Sequence, residues 1–167
     1  LFDNAKGVIA IENNKPDCIE TLDKLLTPQD KEKICVMPLK AKYPQGAERN
    51  LIYAVTGKKI NSKMLPADAG VIVNNVDTVI SVKNAVCNNI PLIRRIITVT
   101  GDAIVNPQNF SVPTGTCYQE LIDAAGGFKS TPEKIISGGP MMGTALFTTA
   151  IPVTKNSSAI LALTKDE

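Results

Sequence analysis

The chain has 167 residues, long enough for one or two domains with a real core, and its 44% hydrophobic and 20% charged residues mark a globular protein rather than a disordered one. Only 4% of residues are aromatic, Trp is absent and the formal net charge is +2. Those values exclude a single-stranded nucleic-acid platform, which needs stacking faces, and argue against DNA, RNA or an acidic membrane surface as partner.

Gly7 to Ile11 is a short β-type run. Glu12 to Pro16 is a turn with Pro near a helix start, and Ile19, Leu22, Leu25 and Leu26 then recur at helical spacing. Thr27-Pro28-Gln29-Asp30 breaks that helix, and Ile34 to Leu39 reads as a second strand, interrupted late by Pro38. A polar segment, Lys40 to Arg49, leads into a helix from about Glu48 to Val55 that ends at Gly57. After a loop over 58–69, Val71-Ile72-Val73 reads as a third strand and Thr78 to Val86 as a helix. This is β-α-β-α-β-α, the alternation of a parallel sheet with crossover helices.

The character changes near residue 90. Leu92 to Thr100 reads as a strand ended by Gly101-Asp102, a hairpin signal. Ala103 to Val105 and Asn109 to Val112 are short strands bounded by Pro107 and Pro113. Thr116 to Ala125 is helical, with Thr116 and Gln119 in a capping-box pattern, Leu121 and Ile122 on the apolar side and Gly126-Gly127 as the stop. Lys134 to Ser137, then 151–154 and 158–163, complete an α+β pattern of a small sheet wrapped on one helix.

No window approaches the ~18 consecutive apolar residues of a membrane span, and no signal-peptide pattern opens the chain. Leu1-Phe2-Asp3 carries no initiator Met, so the chain is expected to be an excised piece of something longer. Cys18, Cys35, Cys87 and Cys117 are far apart and form no C-x-x-C, a poor arrangement for zinc or an iron–sulfur cluster. Cys18, Cys35 and Cys87 lie in or beside apolar segments and read as buried free thiols, which fits a reducing cytosolic compartment. The absence of His removes Ser-His and Cys-His catalysis. Ser81, Ser111 and Ser137 have no base in a recognisable motif.

Three segments could carry function. In Gly70 to Thr78 a strand stops at Asn74-Asn75, followed by Asp77 and Thr78. Strand C-termini are where open α/β sheets bind ligands, and Asn both donates and accepts, which suits an imide ring or a phosphate-bearing cofactor. The same residues also read as a helix cap, with Asp77 or Asn75 meeting free N–H groups. In Lys42 to Arg49, Pro44 and Gly46 precede a helix whose N-terminal N–H groups form a natural anion site, while Glu48 complements the helix dipole. Gly138-Gly139-Pro140-Met141-Met142-Gly143 is neither a dinucleotide fingerprint nor a P-loop; it reads as a tight turn with Met141 and Met142 as exposed contacts. Arg94-Arg95 with Lys83 forms a basic spot of the usually solvated kind. Asp68, Asp77 and Glu48 pair as carboxylates only if the fold unites them.

Taken in order, these segments resemble the RnfC family, the C subunit of the Rnf electron transport complex, and more distantly the flavin-binding, NADH-oxidising subunit of respiratory complex I. The family's Y-P-Q-G-x-E segment stands here as Tyr43 to Glu48, and its V-x-N-V-E/D-T segment as Val73 to Thr78. Arg95 to Gly101, Pro113-Thr114-Gly115 and the Gly138 to Gly143 turn resemble its β-grasp domain. The resemblance implies an α/β plus α+β fold: a partial Rossmann-like parallel sheet over residues 1–90, part of an FMN- and NADH-binding domain, then a soluble-ligand-binding (SLBB-type) β-grasp domain over 91–167. It implies that Asn74, Asn75, Asp77 and Thr78 line an FMN pocket, with Asn74, Asn75 and Thr78 bonding flavin polar groups or phosphate. Gly46 and Glu48 would lie on the flavin and nicotinamide side, Glu48 orienting the flavin or incoming NADH.

The implied reaction is hydride transfer from NADH to FMN, then one-electron passage to 4Fe–4S clusters of an ion-pumping complex at the cytoplasmic face of the membrane, reached through partner subunits. The family's glycine-rich FMN loop would precede Leu1, its C-x-x-C-x-x-C-x-x-x-C-P motifs would follow Glu167, and none of the four cysteines here matches a cluster ligand. The rival is a non-redox β-grasp module that binds a small ligand or docks a partner. This piece alone is therefore expected to bind FMN weakly or not at all and to carry no cluster. A flavin absorbance spectrum after purification with added FMN checks this; stoichiometric yellow protein contradicts it.

Overall fold

A computed structural model describes residues 3–165, leaving Leu1, Phe2, Asp166 and Glu167 outside the described residues. The chain divides into two units, Leu1–Asn75 and Val76–Glu167.

In the first unit, β1 (Gly7–Glu12) and β2 (Ile34–Leu39) pair in parallel, from Gly7 opposite Ile34 to Glu12 opposite Leu39. Both strands match the sequence expectation at their β-branched runs. Pro38 stays within β2, opposite Ile11, because among the described residues β2 pairs only with β1 and its missing N–H can lie on the unpaired edge. The crossover is α1 (Pro16–Leu25), with Pro16 at its start, Asp17 in its first turn and Lys24 in its last, all complementing the helix ends. The Thr27 segment does end α1, but it also opens a new short helix, α2 (Pro28–Lys31). Thr27 Oγ1 accepts from Asp30 N at 3.2 Å, while the Asp30 carboxylate accepts from Thr27 N at 3.0 Å, a capping box built with Asp. α3 (Glu48–Thr56) ends as expected at Gly57, whose φ of 72° closes the helix in the left-handed region. The loop after it holds one 3-10 turn, Pro66–Ala69, with the Asp68 carboxylate accepting from Leu65 N at 2.8 Å.

The expected third strand, 71–73, does not form. Val71 N donates to Pro66 O at 3.1 Å, which ties it to the preceding turn, and Ile72 is exposed. A β-branched run becomes a strand only where a second edge meets its N–H and C=O groups.

The second unit opens with α4 (Val76–Asn88), two residues longer at each end than expected. A five-stranded mixed sheet follows in the order β4-β3-β7-β5-β6. β3 (Arg94–Thr100) lies antiparallel to β4 (Gln108–Pro113) and parallel to β7 (Ala159–Leu163). β5 (Lys134–Ser137) runs antiparallel to both β7 and β6 (Thr144–Leu146), the last a strand without a sequence signal of its own. Period-two burial puts Ile97 and Val99 of β3 and Ile160 and Ala162 of β7 into one core with Leu121 and Ile122 of α5 (Tyr118–Ala124).

Several local expectations fail for the same reason: main chain from elsewhere takes the hydrogen bonds. The start of α5 is Cys117 without a side-chain cap; Tyr118 N donates to Ile151 O at 2.9 Å and Gln119 N to Thr149 O at 3.2 Å. Thr116 therefore turns back, donating its hydroxyl to Pro113 O at 2.9 Å, and the Gln119 amide bonds Asp123 and Thr149. The stretch 151–154 forms a single bridge, Pro152 to Cys117, and Ala103–Val105 likewise only bridges Ile104 to Phe128. Gly101 does turn the chain after β3, but β4 begins only at Gln108, so no tight hairpin forms. Cys18, Cys35 and Cys87 are exposed free thiols, not buried ones. α1 and α4 bury none of their described residues, and Cys35 falls on an outward position of β2.

Gly101 has φ 117°, and a Cβ there would stand 1.9 Å from Ala162 O. Gly101→Ala is expected to cost about 2–4 kcal/mol, since neither the backbone region nor the sheet contact can relax cheaply; a denaturant midpoint unchanged from the parent would refute this. Beside it, the Asp102 carboxylate accepts from Thr164 N at 2.8 Å and from its hydroxyl, which holds the carboxyl below the ordinary 3.8. A depressed folded pKa means that this stabilisation is present above the unfolded value and is lost as pH falls through the folded one. Melting curves from pH 6 downwards are expected to fall more steeply for the parent than for Asp102→Asn below about pH 4.

Candidate functional site

The Tyr43–Glu48 segment is a compact turn that delivers the chain to α3. Its Tyr43–Pro44 peptide is cis, Gln45 N donates to Lys42 O at 2.8 Å and Ala47 N to Pro44 O at 3.1 Å. Asn50 Nδ2 donates to Pro44 O at 3.1 Å and fastens the turn to the helix. No side chain caps α3 at Ala47, so its first-turn N–H groups are left for solvent or an anion. Gly46 is exposed, with nothing within 4 Å of where a Cβ would stand, and Glu48 is exposed in the first turn. Lys42, Tyr43, Pro44, Asn50, Tyr53 and Ala54 line a shallow groove beside this turn.

Gln45 is the residue here that sequence reasoning does not single out. Its side chain is 6% exposed, and its Oε1 is buried without a hydrogen-bond partner. A buried acceptor left unmet costs about 1–3 kcal/mol, which marks a place where a donor is missing. Nothing in the sequence separates such a Gln from a surface one.

The second segment runs from Val71 to Asn75 as irregular chain and then enters α4. Asn74, Asn75 and Thr78 are exposed. Asp77 is half-buried in the first turn of α4, and its carboxylate is ion-paired with the guanidinium of Arg95. The structure thus brings Gly46 and Glu48 together at the start of α3, and Asp77 and Thr78 together in the first turn of α4. Asn74 and Asn75 are joined to α4 through the chain.

Arg95 departs from its expected place in a solvated basic spot. Arg94 and Lys83 are exposed, as expected there, but the Arg95 side chain is only 12% exposed. A signal exists in the sequence: Arg95 shares the face of β3 that carries Ile97 and Val99. Of the other candidates, Asp68 caps its 3-10 turn, Ser81 Oγ donates to Asp77 O, and Ser137 Oγ bonds Tyr118 Oη at 2.9 Å. The Gly138–Gly143 turn leaves Met141 and Met142 exposed. Among the described residues, no three His, Cys, Asp or Glu side chains are grouped to hold a metal ion, and no helix is long and apolar enough to cross a membrane.

Comparison with known proteins places the two parts in order: residues 1–84 match the Nuo51 FMN-binding domain family and residues 96–145 the SLBB domain family. The C subunit of the Na(+)-translocating ferredoxin:NAD(+) oxidoreductase complex of Acetobacterium woodii is 49% identical over 96% of this chain and 36% of its own length. The C subunit of the proton-translocating ferredoxin:NAD(+) oxidoreductase complex of Clostridium ljungdahlii is 48% identical over 97% of this chain and 35% of its own. The C subunit of an ion-translocating oxidoreductase complex of Yersinia pestis is 39% identical over the whole chain and 27% of its own length. The chain belongs to this family of ion-translocating oxidoreductase C subunits, RnfC. It spans about a quarter to a third of the length of these curated relatives. The crystal structure of an NAD+-reducing [NiFe]-hydrogenase in its H2-reduced state shares the fold at a TM-score of 0.70, with 18% identity over 95% of this chain and 33% of that one.

Proposed function

We propose that this chain supplies one wall of the FMN site of an electron-transport subunit that exchanges hydride with a nicotinamide, in a protein whose glycine-rich FMN loop and 4Fe–4S cluster ligands are other residues. One observation carries the reading: the FMN-binding-domain match over residues 1–84 takes in both polar segments, Tyr43 to Glu48 and Val73 to Thr78. The residues present suit the cofactor. FMN bears phosphate, which the open start of α3 behind Gly46 would attract, and N–H and O–H donors, which the orphaned Gln45 Oε1 lacks. Asn74, Asn75 and Thr78 would bond flavin polar groups or phosphate, while the Glu48 carboxylate would orient the flavin or the nicotinamide. FMN, when bound, would supply the chemistry, taking one hydride and releasing its two electrons singly; the side chains would bind and orient it.

The oxidation of NADH and the reduction of NAD+ need the same positioning. The names of the Acetobacterium and Clostridium relatives state a ferredoxin:NAD(+) reaction for those proteins. The same names give a complex, and the parent protein would sit peripherally at the cytoplasmic face of the membrane through its partner subunits. In this reading β1-α1-β2 is part of a Rossmann-like sheet within residues 1–90, and 91–167 form a β-grasp domain. A docking role for that domain is favoured by the exposed Met141, Met142 and fully exposed Phe147 around β6.

Titration of the full-length RnfC protein with FMN, followed by flavin fluorescence, tests the site. Asn74→Ala combined with Asn75→Ala is expected to weaken binding about tenfold, the loss of one to two neutral hydrogen bonds. Glu48→Gln is expected to leave FMN affinity nearly unchanged and to lower the rate of NADH oxidation with ferricyanide as acceptor. Undiminished FMN binding in the double Asn variant would overturn the assignment of that segment.

A further inference from the structure

Arg95 is a full charge on the core-facing side of a strand, and such a group is tolerated only when its donors are met. Two of its nitrogens have partners. Nη1 pairs with the Asp77 carboxylate, and Nε donates to Ser157 O at 3.2 Å. Ser157 is itself locked in place: its Oγ accepts from Tyr118 Oη and from Thr154 N, each at 2.9 Å, and Tyr118 Oη also bonds Ser137 Oγ. Tyr118 is 1% exposed. The guanidinium is therefore pinned to the core of the second unit on one side and holds Asp77 on the other.

α4 needs such a hold. None of its 13 residues is buried, and Val76, Val79, Val82 and Val86 are all exposed. A helix of this length is marginal in water without packing. Asp77 is in its first turn, directly before Thr78 and two residues after Asn75.

We propose that Arg95 is a positioning residue: by pairing with Asp77 it fixes the first turn of α4, so that Thr78 and the adjoining Asn75 are presented to the cofactor, and Asp77 is the anchor of that turn, not a flavin contact. This rests on the reading of residues 74–78 as a flavin-binding segment. The strand that opens the second sheet then has a task in the flavin chemistry that requires no ligand of its own: Arg95, one residue before the SLBB match, supplies the cation that orders a helix start lying within the FMN-binding-domain match.

The test uses the full-length RnfC protein with Arg95→Met, Asp77→Asn, both together, Asp77→Glu and Thr78→Ala. FMN affinity is measured by fluorescence, the bound flavin by visible circular dichroism, and the amides of 76–82 by hydrogen exchange. Each single loss of the pair is expected to weaken FMN about tenfold and the double variant no further, the non-additivity of two groups acting as one. Asp77→Glu is expected to stay within about threefold of the parent with its flavin dichroism intact, because the carboxylate can still reach the guanidinium. Exchange of the amides of 80–82, which bond to the carbonyls of the first turn, is expected to rise in Arg95→Met without FMN present. If Arg95→Met is insoluble, Arg95→Lys replaces it; keeping the charge but losing the fork, it is expected to fall between parent and Asp77→Asn. Losses that multiply to about a hundredfold in the double variant make Asp77 a direct flavin contact, and parent affinity in Arg95→Met removes the positioning role; either result overturns the proposal. Parent affinity in Thr78→Ala, with faster exchange in Arg95→Met, overturns the flavin reading of the segment while leaving the ordering of α4 in place.

Discussion

Every helix begins with N–H groups that its own carbonyls cannot reach, and how each start is met organises this chain. α2 closes its own with a Thr27–Asp30 box. α5 borrows the carbonyls of Thr149 and Ile151, which draws the segment before β7 across the helix end and shapes the second unit. α3 has no side-chain cap at all, and its start lies behind the exposed, unobstructed Gly46. Stability is served at two of these ends. At the third a favourable field for an anion is left uncovered, next to a buried Gln45 oxygen that no donor in the described residues satisfies. α1 likewise starts at Lys15 without a side-chain cap, so what sets the α3 start apart is the buried Gln45 oxygen beside it.

What could be read from the sequence follows from how local each determinant is. β1 and β2 show themselves as β-branched runs between turns, and α3 is delimited by a glycine whose left-handed φ only few residues share. The run at 71–73 looks the same as those strands, yet whether it pairs depends on an edge elsewhere, and its first N–H goes instead to Pro66. Thr116 and Gln119 have the right spacing for a box, but a distant segment reaches the helix end first. β6 has three residues and no pattern of its own; its partner β5 defines it.

The candidate site divides along the same line. The motif residues Gly46, Glu48, Asn74, Asn75 and Thr78 are surface groups whose type and order are visible in one dimension, and they are exposed in the fold. Arg95 and Gln45 matter through their surroundings, which only three dimensions supply. For Arg95 the alternation along β3 is a usable clue, overridden by the general expectation that paired arginines face water. For Gln45 no clue exists, since an unmet acceptor is a property of its neighbours.

The two matched families meet between residues 84 and 96, while the chain parts into its two units between Asn75 and Val76. α4 is thus claimed by one module in sequence and by the other in space. Anyone cutting or swapping modules at the family boundary would separate Asp77 from Arg95 and strand a nearly buried cation in the downstream half. A cut ahead of Val76 would keep that pair together.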